Sequence, residues 1–367
     1  MDKNVQPRIT WYWLLLFFLA FGLLSCTGTS TPTPTPTPTP APLPETLRFY
    51  YWEGYMPQSV LDAFAEETGI KVEYIVYETV EEAVEAIKAE GGYDVVGIEN
   101  YQLPTLIEGN RLAELNYQNL PNYNNISASF RNLSFDPENR YTVPFSWGVT
   151  GIVVRTDRVE EPITTWEDLW DPRYQGKVGV WPLPRDLIGM SLKTLGYSIN
   201  SEEPAEVAAA VDRLIELKKN AFLLDLNLAH AASFLLEEDG AMIYGWAYDY
   251  QESLAGNENV VYVLPEEGTM LWGESLLIPA SSPHKEAAEQ FINFILRPES
   301  SAQIVNEVYV ANANEAARPY INPDILNDPS IFPPNDVLQK GELFLPLSAE
   351  GEALHAREWE RFMEADQ

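Results

Sequence analysis

Residues 46–100 read TLRFYYWEGYMPQSVLDAFAEETGIKVEYIVYETVEEAVEAIKAEGGYDVVGIEN and contain two alternating hydrophobic patterns. Three apolar and aromatic runs are typical of buried strands, and two intervening stretches repeat apolar side chains at helical spacing. In chain order, these segments are Thr46–Trp52, Pro57–Thr68, Lys71–Tyr77, Val80–Ala89 and Tyr93–Ile98. The β-α-β-α-β order predicts an α/β fold, in which helices cover both faces of a parallel sheet.

Polar and aromatic side chains follow two of these predicted strands. Trp52, Glu53 and Tyr55 stand at the end of the first strand, and Glu99 and Tyr101 follow the third. Ligands of such sheets bind beyond the carboxyl ends of the strands. We therefore expect these five side chains to lie near a binding site.

The rest of the chain continues the mixture of strands and helices. The aromatic step at Phe145–Trp147 precedes a predicted strand, Pro298 is expected to end a helix, and the last 50 residues are rich in Pro, Asn and Asp. The predicted strands are Val149–Arg155, Ala241–Trp246 and Leu271–Ile278, and the predicted helices are Glu206–Lys218, His284–Leu296 and a last one near Ala353–Met363.

The N-terminal residues have the pattern of an export signal. Lys3 and Arg8 precede an uninterrupted apolar run at 11–24, which is shorter than the roughly 20 residues that a membrane-spanning helix needs. The run ends in Leu-Leu-Ser before Cys26, which resembles the bacterial lipobox, in which the cysteine is lipidated. We expect a signal peptide at 1–25, with a membrane anchor that ends in a chance cysteine as the alternative.

The segment that follows predicts a spacer between this lipid and a folded body. Residues 31–44 read TPTPTPTPTPAPLP, and alternating proline favours an extended, semi-rigid polyproline II conformation. A glycosylated, mucin-like stalk is the alternative. With a tether at 26–45, the protein is expected to be periplasmic or on the cell surface, held to a membrane through its lipid.

The composition excludes several classes of function. A net charge of −32 makes nucleic acid and anionic lipid poor partners. The three histidines are not spaced as metal ligands, the single cysteine precludes a disulfide within the chain, and hydrolase and phosphate-loop motifs are missing. We therefore expect no cofactor, no metal and no enzymatic activity. We also expect the protein to be a monomer. Because carboxylates are abundant, a secreted carbohydrate-active enzyme or lectin stays an alternative.

Several local patterns, in their order along the chain, resemble one protein family. The patterns are FYYWEGYMP (49–57), FAEETGIKV (64–72), YDVV (93–96), VPFSWGVTGIVV (143–154), TTWEDLWDPRYQGKV (164–178), LGYS (195–198), LWGESLLIPA (271–280) and FINFILRPE (291–299). From about Leu47 to the last helix, the chain resembles the spermidine/putrescine-binding proteins of bacterial ABC importers.

The resemblance implies a two-lobed, periplasmic-binding-protein-like fold of type II, whose hinge-linked lobes close over a ligand. Crossovers near Ser146–Thr150 and Trp272–Ser275 give a first lobe at 46–147 and 275–311 and a second at 148–274 and 312–367. The implied partners are a small cationic ligand and the permease and ATPase subunits of the importer. A receptor for a different solute is the alternative within this class.

In this family, aromatic side chains enclose the methylene chain of the ligand and carboxylates hold its ammonium groups. Positions that match the family pattern, or that compensate for lost acids, are Trp52, Glu53, Tyr55, Glu99, Tyr101, Asp186, Tyr244, Trp246, Trp272 and Glu274. Three positions depart from the pattern: Gly54 and Leu183 replace acidic residues, and Phe344 replaces a polar contact. The resemblance therefore implies the transport role more firmly than the ligand.

Overall fold

The structure, a computed structural model, describes residues 43–225 and 228–365, with only the backbone described at 228–230. These residues belong to one compact unit, Leu43–Gln367. The predicted signal peptide at 1–25, the lipidation site at Cys26 and the tether up to residue 42 lie outside the described residues.

The described residues form one mixed sheet. Its main order is β2-β1-β3-β9-β4-β7-β5-β6, with β10 and β8 paired to β4 and β11 paired to β9. The strands are β1 (Thr46–Trp52), β2 (Lys71–Tyr77), β3 (Val95–Glu99), β4 (Thr142–Arg155), β5 (Val178–Val180), β6 (Ala221–Leu223), β7 (Met242–Gly245), β8 (Val260–Val263), β9 (Met270–Leu277), β10 (Ala311–Asn312) and β11 (Glu342–Leu343).

Helices connect and cover these strands, together with short 3₁₀ turns. The α-helices are α1 (Gln58–Thr68), α2 (Val80–Lys88), α3 (Leu103–Glu108), α4 (Pro184–Thr194), α5 (Pro204–Leu217), α6 (Leu228–Leu236), α7 (Ala247–Gly256), α8 (Lys285–Ile295), α9 (Pro298–Val308), α10 (Pro323–Leu326), α11 (Asn335–Lys340) and α12 (Ala349–Glu364). Within the described part of the chain, no helix combines the length and apolarity needed to cross a membrane.

The first three strands confirm the predicted parallel arrangement. β1 lies between β2 and β3 and runs parallel to both, with Trp52 opposite Tyr77 at the carboxyl ends of β1 and β2. Side chains of β1 are buried on both faces, as the apolar run predicts. Phe49 packs in one core cluster with helices α1 and α8, whereas Tyr50 packs in another with α2. Because the three strands are parallel, their carboxyl ends lie at the same edge of the sheet.

β4 is longer than predicted and joins two parts of the sheet. The prediction began this strand at Val149, but the strand already begins at Thr142, because the preceding aromatic step also pairs with β9. Its first half pairs with β9 and β10, and its second half, from Gly151 to Arg155, pairs with β7 and β8. The pairing with β9 shifts register between Pro144 and Trp147. One continuous strand thus connects the part of the sheet that contains β1–β3 with the part that contains β5–β7.

Pro298 lies at the boundary between two helices. The helix predicted at His284–Leu296 is observed as α8, which ends before Pro298 as expected. Pro298 occupies the first turn of α9, where its missing N–H is no loss because that group has no partner within the helix. Proline at this position therefore separates two consecutive helices.

Candidate functional site

A cavity of about 290 Å³ lies at the edge where the carboxyl ends of β1, β2 and β3 meet. Its lining is predominantly aromatic and acidic. The lining residues are Trp52, Glu53, Tyr55, Val76, Tyr77, Glu78, Glu99, Trp181, Leu183, Asp186, Trp246, Trp272, Glu274 and Phe344. Eight of the ten side chains predicted to bind a ligand are thus brought together here.

Two of the acids are neighbours across the sheet. Glu99 ends β3 and lies directly opposite Glu274 of the antiparallel strand β9. Like charges in such a pair repel each other and destabilise the sheet. The strand pairing therefore places two carboxylates side by side, where a cation would relieve the repulsion between them.

Glu274 is 2% exposed and accepts hydrogen bonds from three protein groups. The hydroxyls of Tyr51 and Ser146 donate to Oε2, and the indole N–H of Trp52 donates to Oε1. Burial raises the pKa of this carboxyl, and the three donors partly offset the rise. These bonds fix the carboxylate and the Trp52 ring against each other before any ligand enters.

Glu99 forms a second acidic centre together with Asp186. Burial is the main cause that raises the pKa of Glu99 well above its usual range, and the nearby carboxylates of Asp186 and Glu274 add to it. A hydrogen bond with Tyr101 acts in the opposite direction. The two carboxyl groups of this centre are therefore more stable when they carry a proton or bind a cation.

Asp186 stands in the first turn of α4, where the helix dipole favours an anion. It is 9% exposed, and Tyr244 donates a hydrogen bond of 2.7 Å to its Oδ1. Burial raises the pKa of Asp186 to about 6, although the Tyr244 hydroxyl and the guanidinium of Arg185 both lower it. The structure thus makes Asp186 part of the cavity wall and not an exposed helix cap.

Aromatic rings form the remaining walls. The Trp52 ring lies 4.4 Å from Tyr77, centroid to centroid, and the Trp181 ring lies 6.2 Å from Trp246. Trp272 adds a further indole to the lining. Such rings present negative π faces to a cation and apolar surface to a methylene chain. The walls are therefore suited to an organic cation.

Two predicted residues lie behind the cavity wall. Tyr244 is fully buried and contacts the cavity through the hydrogen bond of its hydroxyl to Asp186. Tyr101 is 7% exposed and packs near Phe344, with ring centroids 6.2 Å apart, while the guanidinium of Arg185 lies over its ring. Both support lining side chains in this structure.

Sequence reasoning did not identify four of the lining residues, which are Val76, Tyr77, Glu78 and Trp181. The first three follow from the fold, because β2 is parallel to β1 and its carboxyl end must reach the same edge. Trp181 follows the short strand β5, for which the sequence gives little periodic signal. Leu183 and Phe344, which depart from the family pattern, also line the cavity.

The described residues contain no group of three or more His, Cys, Asp or Glu side chains arranged to hold a metal ion. Aromatic rings line the cavity together with its carboxylates. This arrangement fits a cation that has an apolar body between or beside its charges.

Gly148 allows Trp272 to pack closely, so Gly148→Ala is expected to disturb this wall. A Cβ at position 148 would lie 2.4 Å from the six-membered ring of Trp272. Forcing an atom into such a contact costs about 1–3 kcal/mol. We expect this loss in urea-induced unfolding at equilibrium, together with weaker ligand binding. Trp272→Phe, which shortens the ring, should restore most of the stability, and an equal loss in both backgrounds would contradict this assignment.

The fold and the cavity define a protein that captures a small molecule at the edge of a mixed sheet. Sequence comparison gives the family: the model for bacterial extracellular solute-binding proteins matches residues 59–333, and the chain belongs to this family. It is similar to the spermidine/putrescine-binding periplasmic protein of Salmonella typhimurium, with 33% identity over 301 residues, 81% of this chain and 86% of the relative. It is also 30% identical to the putrescine-binding periplasmic protein PotF of Escherichia coli over 81% of this chain and 85% of that one.

Solved structures share the fold. The spermidine/putrescine substrate-binding protein PotD of Streptococcus pneumoniae superposes with a TM-score of 0.75 at 28% identity, covering 87% of this chain and 99% of that one. The Tp0655 lipoprotein of Treponema pallidum gives 0.77 at 23% identity, over 86% and 99%. The predicted type II periplasmic-binding-protein fold is confirmed. Membership of a solute-binding family also confirms the prediction that the chain is not an enzyme.

Proposed function

We propose that this chain is the lipid-anchored substrate-binding component of an ABC importer and that it binds a polyamine, namely putrescine, spermidine or a related organic cation. The observation that carries the proposal is the presence of two acidic centres, the buried Glu274 and the pair of half-buried Glu99 and buried Asp186, within walls of aromatic rings. Relatives named for binding spermidine and putrescine support the same ligand class.

The chemistry of the ligand matches both the carboxylates and the aromatic rings of the cavity. An alkyl diamine has charged ends that need carboxylate acceptors and an apolar middle that stacks on aromatic rings. Buried carboxylates without a cation are costly, and their raised pKa values express this cost. Binding an ammonium group supplies the missing charge. The proposal assigns ligand contact to the eight predicted side chains that line the cavity, and a role through their lining neighbours to Tyr101 and Tyr244.

Within the polyamines, the lining favours a short diamine. Leu183 and Phe344 give part of the wall an apolar surface. The buried guanidinium of Arg185 lies 5.5 Å from the centroid of the Phe344 ring and donates hydrogen bonds to two neutral acceptors, the side chain of Asn200 and the carbonyl of Leu345. A further ammonium group near this surface would lose water without gaining an acceptor and would be repelled by Arg185. Putrescine should therefore bind more tightly than spermidine.

We propose that two lobes close over this ligand, with the boundaries 46–147 and 275–311 for the first and 148–274 and 312–367 for the second. Support comes from β4 and β9, the two strands that connect the parts of the sheet near these boundaries. The proposal also includes a monomer that delivers its ligand to permease and ATPase subunits.

Thermal unfolding of the compact unit from Leu43 onward, measured with and without ligands, tests the function. The panel contains putrescine, spermidine, spermine, an amino acid mixture and small sugars. A ligand that binds only the native state stabilises it by about 2.7 kcal/mol at a hundredfold excess over Kd. We expect the largest rise in Tm with putrescine. A rise with a sugar or an amino acid and none with any polyamine would refute the proposed ligand.

The proposed anchor depends on Cys26, and Cys26→Ser is expected to release the protein from the membrane. Lipidation requires the thiol, and serine keeps the size of the side chain without providing one. The expected result is a shift of the protein from the detergent phase to the aqueous phase of a Triton X-114 extract. Retention of Cys26→Ser in the detergent phase would support the alternative of an uncleaved apolar anchor at 11–24.

A further inference from the structure

Behind the indoles of Trp181 and Trp246 lies an acid that does not line the cavity. Asp249 is fully buried near the start of α7, and its Oδ2 accepts a 2.9 Å hydrogen bond from the backbone N–H of Trp246. The backbone approaches it closely, since a Cβ at Gly245 would lie 2.6 Å from Oδ2. The carboxylate is therefore held in one position.

The second carboxylate oxygen of Asp249 lacks a hydrogen-bond partner in the part of the chain that the structure describes. Oδ1 of Asp249 and the indole Nε1 of Trp181 are both buried, and neither has a hydrogen-bond partner among the described residues. Trp181 is 2% exposed, and its indole N–H lowers the pKa of Asp249 as a hydrogen-bond donor does, which places the two groups within reach of each other. Two buried polar groups that lack partners each cost free energy, and a bond between them would remove both penalties.

We propose that Asp249 is a positioning residue for ligand capture, which holds the backbone of Trp246 with one carboxylate oxygen and the indole of Trp181 with the other. A single carboxylate then fixes two aromatic walls of the cavity. The inference rests on the proposed function for its ligand but on the structure alone for the contact between Asp249 and Trp181.

Only the ionised carboxylate can accept hydrogen bonds from both the backbone N–H of Trp246 and the indole N–H of Trp181. A protonated acid, like an asparagine, presents one acceptor oxygen and one donor, so it loses one of the two N–H groups. Burial raises the pKa of Asp249 to about 7, with a smaller contribution from the charge of Glu252. The two-sided contact should therefore form above neutral pH and be lost below it.

The groups that face Asp249 from its neighbours do not obscure this titration. Glu252 and Tyr248 belong to α7 itself, Tyr55 follows β1, and Tyr262 lies on β8. The pKa values of the three tyrosines are raised by burial, so these residues stay neutral across pH 5.5–8.5. Glu252 is the charged neighbour that needs a control variant.

The first test needs no ligand. In the full chain, labelled with ¹⁵N-tryptophan and kept in detergent micelles, the Nε1–H resonance of Trp181 is assigned from its absence in Trp181→Phe. We expect this resonance to shift between pH 5.5 and 8.5 with a midpoint near 7 in the wild type. The shift should vanish in Asp249→Asn and persist in Glu252→Gln. A resonance that does not titrate, or that titrates equally in Asp249→Asn, overturns the inference.

The second test measures putrescine affinity by calorimetry at pH 6 and pH 8. At pH 8 we expect Asp249→Asn and Trp181→Phe each to lose about tenfold in affinity, and the double variant to lose no more than either one. At pH 6 the Asp249→Asn loss should shrink to less than threefold, because the wild-type acid is then protonated. Additive losses, or a loss independent of pH, mean a merely structural role. If the wild type binds no polyamine, the proposed function fails, while the indole titration still decides the role of Asp249.

Discussion

Replacing Glu274 with glutamine is expected to weaken putrescine binding by roughly 1.5–3 kcal/mol, the range for a hydrogen bond to a charged group. This corresponds to about a 10- to 150-fold rise in Kd. Glutamine removes the charge but keeps an oxygen for the Trp52 indole, and the hydroxyls of Tyr51 and Ser146 can rotate to accept from its amide. The wall should therefore survive while the electrostatic attraction is lost.

Isothermal titration calorimetry on Glu274→Gln and on a matched control separates this effect from the loss of net charge. Glu216→Gln makes the same change in charge at an exposed position on α5 and should leave Kd unchanged within error. An unchanged Kd in Glu274→Gln would remove Glu274 from the site. An equal loss in both variants would assign the effect to the overall charge of −32 and not to a contact.

Asp186→Asn is expected to change affinity and stability in opposite directions. Because the pKa of Asp186 is raised to about 6 in the folded protein, the native state binds more protons than the unfolded state between about pH 4 and 6. The free energy of unfolding of the empty protein therefore falls as pH rises through this window. At pH 7.5 the accumulated cost is roughly 2–3 kcal/mol, which an uncharged asparagine avoids.

Urea-induced unfolding of the empty protein at pH 4 and pH 7.5 measures the stability part of this prediction. Asp186→Asn should be more stable than the wild type at pH 7.5 and nearly equal to it at pH 4, where Asp186 is protonated. Putrescine affinity at pH 7.5 should fall at least tenfold, since the hydrogen bond from Tyr244 remains but the charge does not. A variant that is destabilised at pH 7.5 would show that the carboxylate serves the fold and not the ligand.

Much of the fold was predictable because its first three strands carry strong local signals. β1 and β2 have the predicted bounds, and the parallel pairing follows from the helices between them. The extended start of β4 and the short strand β5 were not predictable, since their pairing depends on partners far away in the sequence. Local periodicity carries no information about such partners.

The candidate site was predictable where residues follow a strand and where a family pattern could be matched. The strand ends predicted Trp52 and Glu99, and the family pattern predicted Glu274. All three line the cavity. The position of Tyr244 behind the cavity wall and the buried position of Asp249 depend on packing between helices and strands. No pattern in a single sequence reports that packing.

The hydrogen bond between Trp52 and Glu274 has a consequence for folding kinetics. These residues are 222 positions apart in the chain, so the site forms only after a long loop has closed. A chain that has formed β1–β3 but has not yet added β9 cannot hold a ligand. The ligand therefore contributes to the native state and not to the earlier folding steps. Saturating ligand should slow unfolding and leave the refolding rate unchanged. The ligand-bound protein therefore gains kinetic stability.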